Sequence, residues 1–417
     1  MNAKRPVAVA LLSVLVIAAV VVLSWSQRSP EPVAGAADEL SVRVTSADDV
    51  GPGSLREALY IAASATGRAN VWIVPRKLIL KTPLPPLMNP HGMRLISQPA
   101  GAEIDAQGLA AGAVLDVTGS NVSIEGVVVH NCPGAAVLLR ATHFRMHAST
   151  VESCDVGVDV AANAADVLLE DNRFVKDRIG VRFAAANPDA TVVGNTFMQA
   201  GAAGLWAVRG DPGRGEEPIR VHDNHFTANR SGLVAGNVPI AIEHNEFSDN
   251  APDAALHLVG AGVVVRSNHI GGTAAMGIVA ENAREPLIEA NELDGLSSYA
   301  ILLRSAPGAM VRGNRVTDCA AGLAFVLGDP GHPGSAIANT IADPKLDAID
   351  IIGDSPILRD NQVLRPRALA LRVADYLEAG GEKVHAQPTL QGNNNFRANV
   401  VGTAAVPVPI AAAVGEQ

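Results

Sequence analysis

The sequence predicts an all-β parallel solenoid of about eleven coils, ~23 residues each, wound around one aliphatic core. The first observation is a repeat. An Asn followed two residues later by an apolar residue recurs at Asn172, Asn195, Asn224, Asn245, Asn268, Asn291, Asn314, Asn339 and Asn361, in steps of 23, 29, 21, 23, 23, 23, 25 and 22. The second is the register it creates. Three residues before the Asn stand Ile124, Met146, Leu169, Val192, Val221, Ile242, Val265, Ile288 and Val311. Two residues after it stand Val129, Val151, Phe174, Phe197, Phe226, Phe247, Ile270, Leu293, Val316, Ile341 and Val363, with Ser149 and Val127 in the Asn position of the earlier coils. The third is a small residue and a short apolar alternation later in each coil, as in Gly157-Val158-Asp159-Val160, Gly180-Val181-Arg182-Phe183 and Gly322-Leu323-Ala324-Phe325.

Apolar spacing of two means strands, because successive side chains point to opposite faces, so both apolar columns face inward. Each coil then carries three short strands. The Asn lies at the bend between two of them, where its tolerance of left-handed backbone and its amide suit it to bond to the same residue one layer away. Two residues before the Asn, an outward column reads Glu125, His147, Glu170, Val193, His222, Glu243, Arg266, Glu289, Arg312. At a strand spacing of ~4.8 Å, opposite charges on neighbouring coils support one another. The regular coils run from Val114 to Val373, which assigns 113–373 to the solenoid body.

A solenoid must cap its ends. Residues 40–112 are assigned to an N-terminal cap and the first coils: Ser54-Leu55-Arg56-Glu57 is a capping box opening a helix through about Ala63, followed by strands at Val71–Val74, Leu78–Leu80 and Arg94–Ser97. Residues 374–417 are assigned to a C-terminal cap and tail, with one atypical coil around Asn394-Asn395-Phe396. Before the cap, residues 26–39 read as a linker rich in Pro, Ala and Gly. Lys4 and Arg5 precede an apolar run from Val7 to Trp25, so residues 1–25 are expected to be a transmembrane signal-anchor in the inner membrane. A cleavable signal peptide ending near Ala34 and Ala36 is the alternative. Either one puts the body on the periplasmic or another extracytoplasmic side.

Composition narrows the partners. The chain has 417 residues and a net charge of −10, so it lacks the basic face of a nucleic-acid binder. Hydrophobic residues at 48% exclude a disordered chain, while aromatics at 3% leave few rings for sugar stacking.

The Asn-x-[Phe/Ile/Val] and Gly-[Ile/Val/Leu]-x-[Leu/Val] coils, with the entry segment Gly51–Ala58, resemble the single-stranded right-handed parallel β-helix of pectate-lyase-like proteins over roughly residues 41–400. That superfamily includes polysaccharide lyases, glycoside hydrolases, uronate epimerases and non-catalytic surface proteins. Its enzymes place acidic and basic residues outward on the Gly-motif strand. That position here reads Asp116, Leu138, Asp159, Arg182, Trp206, Val234, His257, Val279, Leu302, Ala324, Asp350 and Arg372. The resemblance therefore implies catalytic candidates Asp159, Arg182 and His257, and substrate-binding candidates Asp116, Arg140 and Trp206. In a lyase or epimerase a base removes the proton beside a carboxylate while a cation steadies the enolate. Arg182 or His257 could fill those roles, and Asp116 with Asp159 could hold Ca²⁺. The bland alternative is that Asp159–Arg182 and Asp350–Arg372 are solvated neighbour pairs. The chain departs from the enzymes: it has no Asp-Pro-His-Asp of alginate epimerases and no Gly-His-Gly of polygalacturonases, and Asn89-Pro90-His91-Gly92 precedes the regular coils.

Three further features carry weaker signals. One residue after the Asn, the column His225, Glu246, His269, Glu292, Arg315 reads as a charge ladder, or as a divalent-metal site if its side chains converge. Cys132 and Cys154 share one turn position on adjacent coils, where a disulfide or two small buried residues would fit, and Cys319 stands eight coils away. Loops at Gly210–Glu217 and Gly328–Gly334 lengthen two coils on one edge. The expected function is binding or processing of a cell-envelope polysaccharide, with lyase or epimerase chemistry on a uronate polymer. The alternative is a non-catalytic scaffold for an envelope protein partner.

Overall fold

Strands of the repeat pair with the strands one coil earlier and one coil later, always parallel and in register except for one shift between Val259 and Ala261. A computed structural model describes residues 39–185, 187, 189–209, 217–377 and 382–395. Among these residues the strands form three sheets, A, B and C, of 15, 13 and 12 strands, which are the three walls of the solenoid. Each complete coil contributes one strand to each wall, as in Ala165–Glu170 (A), Arg173–Val175 (B) and Ile179–Phe183 (C), while the end coils lack strands in B or C. Both expected apolar columns face the axis and are buried from Ile124 to Val363. The expected transmembrane segment lies outside the described residues, and none of the described helices is long and apolar enough to cross a membrane.

The expectation of about eleven coils falls short. Sheet C alone carries 12 strands between Leu115 and Ala374, and sheet A continues in both directions, from Leu40–Val44 to Thr389–Gln391. The first coils have no Asn at the bend, so the repeat hides them. The cap elements fall close to expectation. Helix α1 (Leu55–Ala63) has Ser54 as its N-cap, whose Oγ accepts from the Glu57 N–H at 3.3 Å, while the Glu57 carboxylate accepts from the Gly53 N–H at 2.6 Å. Asn89, in the Asn-Pro-His-Gly string, is a buried structural residue: its amide donates to the Ala62 carbonyl at the end of α1 at 2.7 Å. At the other end Tyr376–Leu377 and Lys383–Val384 form a short antiparallel hairpin before the chain rejoins sheet A.

The Asn column is the spine of the fold. The Oδ1 of Asn195 accepts from both the backbone N–H of Asn172 at 2.9 Å and its side-chain amide at 3.1 Å, and Asn172 also donates to the Met146 carbonyl at 2.8 Å. The same pattern repeats through Asn361, whose N–H donates to Asn394 at 3.0 Å. Ser149 continues the column on the other side, accepting from the Val127 N–H at 3.2 Å. One detail of the sequence reading is corrected. The left-handed backbone belongs to the residue before the Asn: Asp171 (φ 53°), Gly194 (66°), Asp223 (57°), His244 (55°), Ser267 (55°), Ala290 (54°) and Gly313 (64°). The Asn can then turn its side chain inward, parallel to the axis, while its neighbour makes the bend.

The Phe stack explains the glycines of the next strand. Phe174, Phe197, Phe226 and Phe247 lie with centroids 5.0, 4.6 and 4.6 Å apart and planes within 9°. A Cβ at Gly157, Gly180, Gly204 or Gly232 would come within 2.7, 2.7, 2.8 or 2.6 Å of the ring of Phe174, Phe197, Phe226 or Phe247, respectively. Here Gly provides room, since none of the four has a positive φ.

A second, shorter amide column runs five residues after the first. Asn250 accepts from the Asn229 N–H at 3.1 Å, Asn229 accepts from the Ala200 N–H at 2.9 Å, and Asn229 donates to the Phe197 carbonyl at 3.0 Å. Asp177 occupies this position two coils earlier. Its Oδ1 accepts from the Cys154 N–H at 2.8 Å, but its buried Oδ2 has no partner. Burial pushes its carboxyl up to about 7. Cys132 and Cys154 are joined as a disulfide in the same column, while Cys319 is a buried free thiol that burial pushes up to about 11.

These features make three predictions. Asn268→Ala strips the acceptor from Asn245 and the donor from the Ile242 carbonyl, so urea unfolding should show a loss of about 3 kcal/mol or more, at ~1–3 kcal/mol for each orphaned group. The folded-state affinity of Asp177 for its proton exceeds that of the unfolded chain. Stability from this group is therefore full below its ordinary value of 3.8 and is lost as pH rises toward about 7. Asp177→Asn should leave stability near pH 4 almost unchanged and raise it by up to about 4 kcal/mol at pH 8, read from urea midpoints at the two pH values. Thiol titration without reductant should find no reactive thiol in the native chain and one after unfolding.

Candidate functional site

The outward column of sheet C is continuous. Strand register pairs Asp116 with Leu138, Leu138 with Asp159, Asp159 with Arg182, Arg182 with Trp206, Trp206 with Val234, and Val234 with His257. The face divides into two parts of different chemistry. Rungs from Asp116 to Trp206 carry the charged residues Asp116, Asp159 and Arg182, with Leu138 and Trp206 as their apolar neighbours. Beyond them, Ala254, Val279, Leu302, Ala324, Val326 and Ile352 form a buried apolar cluster with Met276, Tyr299, Leu327 and Tyr376 packed against it. Val279 and Leu302 point outward by register, yet are only 1% and 3% exposed.

In the polar half, each cation meets a carboxylate on the preceding coil. The Arg182 guanidinium is bidentate on Asp159, with Nε donating to Oδ1 at 2.8 Å and Nη2 to Oδ2. The Asp159 carboxylate holds the Arg182 guanidinium above its ordinary value. At the entrance to the same strands, Arg178 donates to Asp155 at 2.6 and 3.3 Å, and the guanidinium holds that carboxyl below its usual range. Arg140 lies 3.7 Å from Asp116. Trp206 is half-buried on the rung after Arg182, its ring the aromatic member of the row.

The six candidates are thus not gathered into one centre. Asp116 with Arg140, and Asp159 with Arg182 and Trp206, form a band across five rungs. His257 is three strand spacings beyond Arg182, ~14 Å along the axis. There its Nε2 lies 3.4 Å from Glu281, which also meets Arg304 at 3.3 Å, in the apolar half of the face. Asp116 and Asp159 stand two rungs apart, ~10 Å, and each turns to its own arginine, so they do not converge on one Ca²⁺. Asp350, outward by register, is buried against its partners, Arg372 at 2.7 Å and the Tyr299 hydroxyl at 2.8 Å, and is not a solvated pair. Sequence reasoning passed over Asp155, Arg178, Glu281 and Arg304. Their spacing of 23 residues within each pair is the signal that could have found them.

The His/Glu column resolves into pairs. His225 meets Glu246 at 2.9 Å and His269 meets Asp294 at 2.8 Å, beside an open cavity of about 450 Å³. The outward column of sheet A is a charge ladder, with Arg266 between Glu243 at 3.5 Å and Glu289 at 3.1 Å and Arg312 on Glu289 at 2.6 Å. In the loop Gly328–Gly334, Asp329 and His332 pair at 3.0 Å, while residues 210–216 of the other long loop lie outside the described residues.

Comparison with known proteins agrees with the fold. Residues 212–363 match the family described as right handed beta helix region, and residues 102–257 match the family described as periplasmic copper-binding protein (NosD). Among solved structures, the catalytic unit of a GH87 α-1,3-glucanase from Streptomyces thermodiastaticus is similar at TM-score 0.53 and 13% identity, covering 87% of this chain and 70% of that one. The A-module of a mannuronan C-5 epimerase from Azotobacter vinelandii gives 0.44 at 11% identity, covering 87% and 100%. A PL6 family polysaccharide lyase from Pseudopedobacter saltans gives 0.40 at 13% identity, covering 89% and 94%. A search of curated proteins finds no match. The donors in the copper-binding match do not fit a copper centre. Cys132 and Cys154 are bonded to each other, and six histidines of that stretch (His130, His143, His147, His222, His225 and His257) pair with a carboxylate. His244 shares an open cavity with His225 without a third donor close enough to complete a site. No group of three or more His, Cys, Asp or Glu gathers as a metal site among the described residues.

Proposed function

We propose that this chain, a right-handed parallel β-helix repeat protein of the pectate-lyase-like fold, binds a cell-envelope polysaccharide along the polar half of sheet C. The observation that carries the reading is the row Asp159–Arg182–Trp206: a fixed carboxylate–guanidinium pair beside a half-buried indole, on adjacent rungs. A pyranose has an apolar face and a rim of hydroxyls. The ring can stack on Trp206 while its hydroxyls meet the paired ions one rung away. The named similar structures act on or process polysaccharides, which agrees with a carbohydrate ligand.

An extracytoplasmic site fits three features together: the apolar run Val7–Trp25, the Cys132–Cys154 disulfide, and the similarity of residues 102–257 to a family described as periplasmic. Membrane anchoring through that run is part of the same proposal.

Lyase or epimerase chemistry on a uronate polymer is the second reading. Arg182 favours it as the cation that would steady an enolate. In that reaction Arg182 must leave Asp159, and a base must stand within hydrogen-bond reach of the same sugar, whereas His257 is ~14 Å away along the axis. The arrangement therefore supports binding better than turnover.

Trp206→Ala tests the reading. With immobilised polysaccharides and the full chain, binding should weaken at least about tenfold, or ~1.4 kcal/mol, while the melting temperature stays within the error of the wild type. Undiminished binding would remove Trp206, and the polar half of sheet C with it, from the site.

A further inference from the structure

We infer that the glycan taken by this face is neutral. The inference rests on the polysaccharide-binding reading and names its substrate class. Three arginines stand on or at the entrance of the polar half, and each is neutralised by a carboxylate one coil earlier: Arg140 by Asp116, Arg178 by Asp155, Arg182 by Asp159. Three cations against three anions leave the band without net charge, on a chain that carries −10 overall. Long-range attraction for an anionic polymer is therefore absent both locally and globally.

A uronate polymer brings one carboxylate per sugar, and each bound one needs a donor not already spent. The strongest site for it would be Arg182, whose two parallel N–H groups are both on Asp159. Gripping the uronate with that same two-pronged edge means breaking the pair, and the N–H groups left over offer it a weaker contact beside the Asp159 carboxylate. Asp159, with a side chain only 15% exposed, would then face a second carboxylate in a poorly solvated place. A neutral sugar imposes no such exchange. Of the five N–H donors of a guanidinium, two are engaged, and Arg182 remains 41% exposed for the others. A guanidinium locked to a carboxylate presents donor and acceptor side by side. That pattern suits a pair of adjacent hydroxyls, each of which both donates and accepts. Trp206 on the next rung supplies the stacking surface, and Leu138 on the rung before Asp159 supplies a second apolar contact.

Calorimetry on the full chain separates the outcomes, with glucose hexasaccharides of α-1,3, β-1,3 and β-1,4 linkage and hexagalacturonate and hexamannuronate as probes. The expected result is at least a tenfold preference for a neutral probe, unchanged between 50 and 500 mM NaCl. Asp159→Asn, which releases Arg182, should raise uronate affinity about tenfold in a salt-sensitive manner without improving the neutral probe. Asp155→Asn, releasing Arg178, is the second variant should the first fail to fold. Uronate binding by the wild type equal to or tighter than neutral binding, and lost in Trp206→Ala, would overturn the neutral assignment while keeping the carbohydrate site. Binding of no probe at millimolar concentration would overturn both.

Discussion

The buried amide column is the interaction on which the rest of the molecule depends. A thin solenoid has no thick core, so its coils must be locked in register by something directional. Each Asn does so by accepting two hydrogen bonds from the coil before it and donating back to a carbonyl of that coil, at 2.8–3.1 Å around Asn172. These groups are buried, and an unpaired one would be costly. A slip of one residue in any coil would break the column and also turn every inward side chain outward. The Phe stack and its facing glycines add shape to the same register, since rings at 4.6 Å spacing fit only if each coil lies directly over the last.

From that register the outer faces follow. Because coils superpose, residues one period apart become neighbours, and opposite charges separated by about 23 positions meet across the strand spacing. The pairs Asp155–Arg178 and Asp159–Arg182 on sheet C, and Arg266–Glu289 and Glu289–Arg312 on sheet A, arise in this way. Exposed pairs of this kind contribute little to stability. Their functional consequence on sheet C is larger, because they decide which cations are already spent before a ligand arrives.

Much of this was legible in the sequence because a repeat places equivalent environments at equivalent positions. The inward columns, the outward columns and the neighbour relation of Asp159, Arg182 and Trp206 all follow from spacing alone. What was not legible has particular causes. The left-handed position holds Asp, Gly, Ala, Ser and His, a mixture with no signature, because the hydrogen-bonded coils on either side impose the bend. The first coils lack the Asn and so escaped the repeat. Outward Val279 and Leu302 look exposed by register. Their burial depends on Met276, Tyr299 and the rest of the apolar cluster, which no local pattern encodes. For His257 the sequence showed its column but not its partner, because Glu281 and Arg304 lie in the next outward column.

The polar half of sheet C as the glycan surface is the claim to test most directly, by hydrogen–deuterium exchange of the full chain with and without a saturating oligosaccharide. The account predicts slowed exchange confined to the edges and loops of the strands Val156–Val160, Ile179–Phe183 and Ala203–Val208, with sheets A and B unchanged. Protection centred on His225, Glu246 and His269, or on the loop Gly328–Gly334, with none on those three strands, would contradict it.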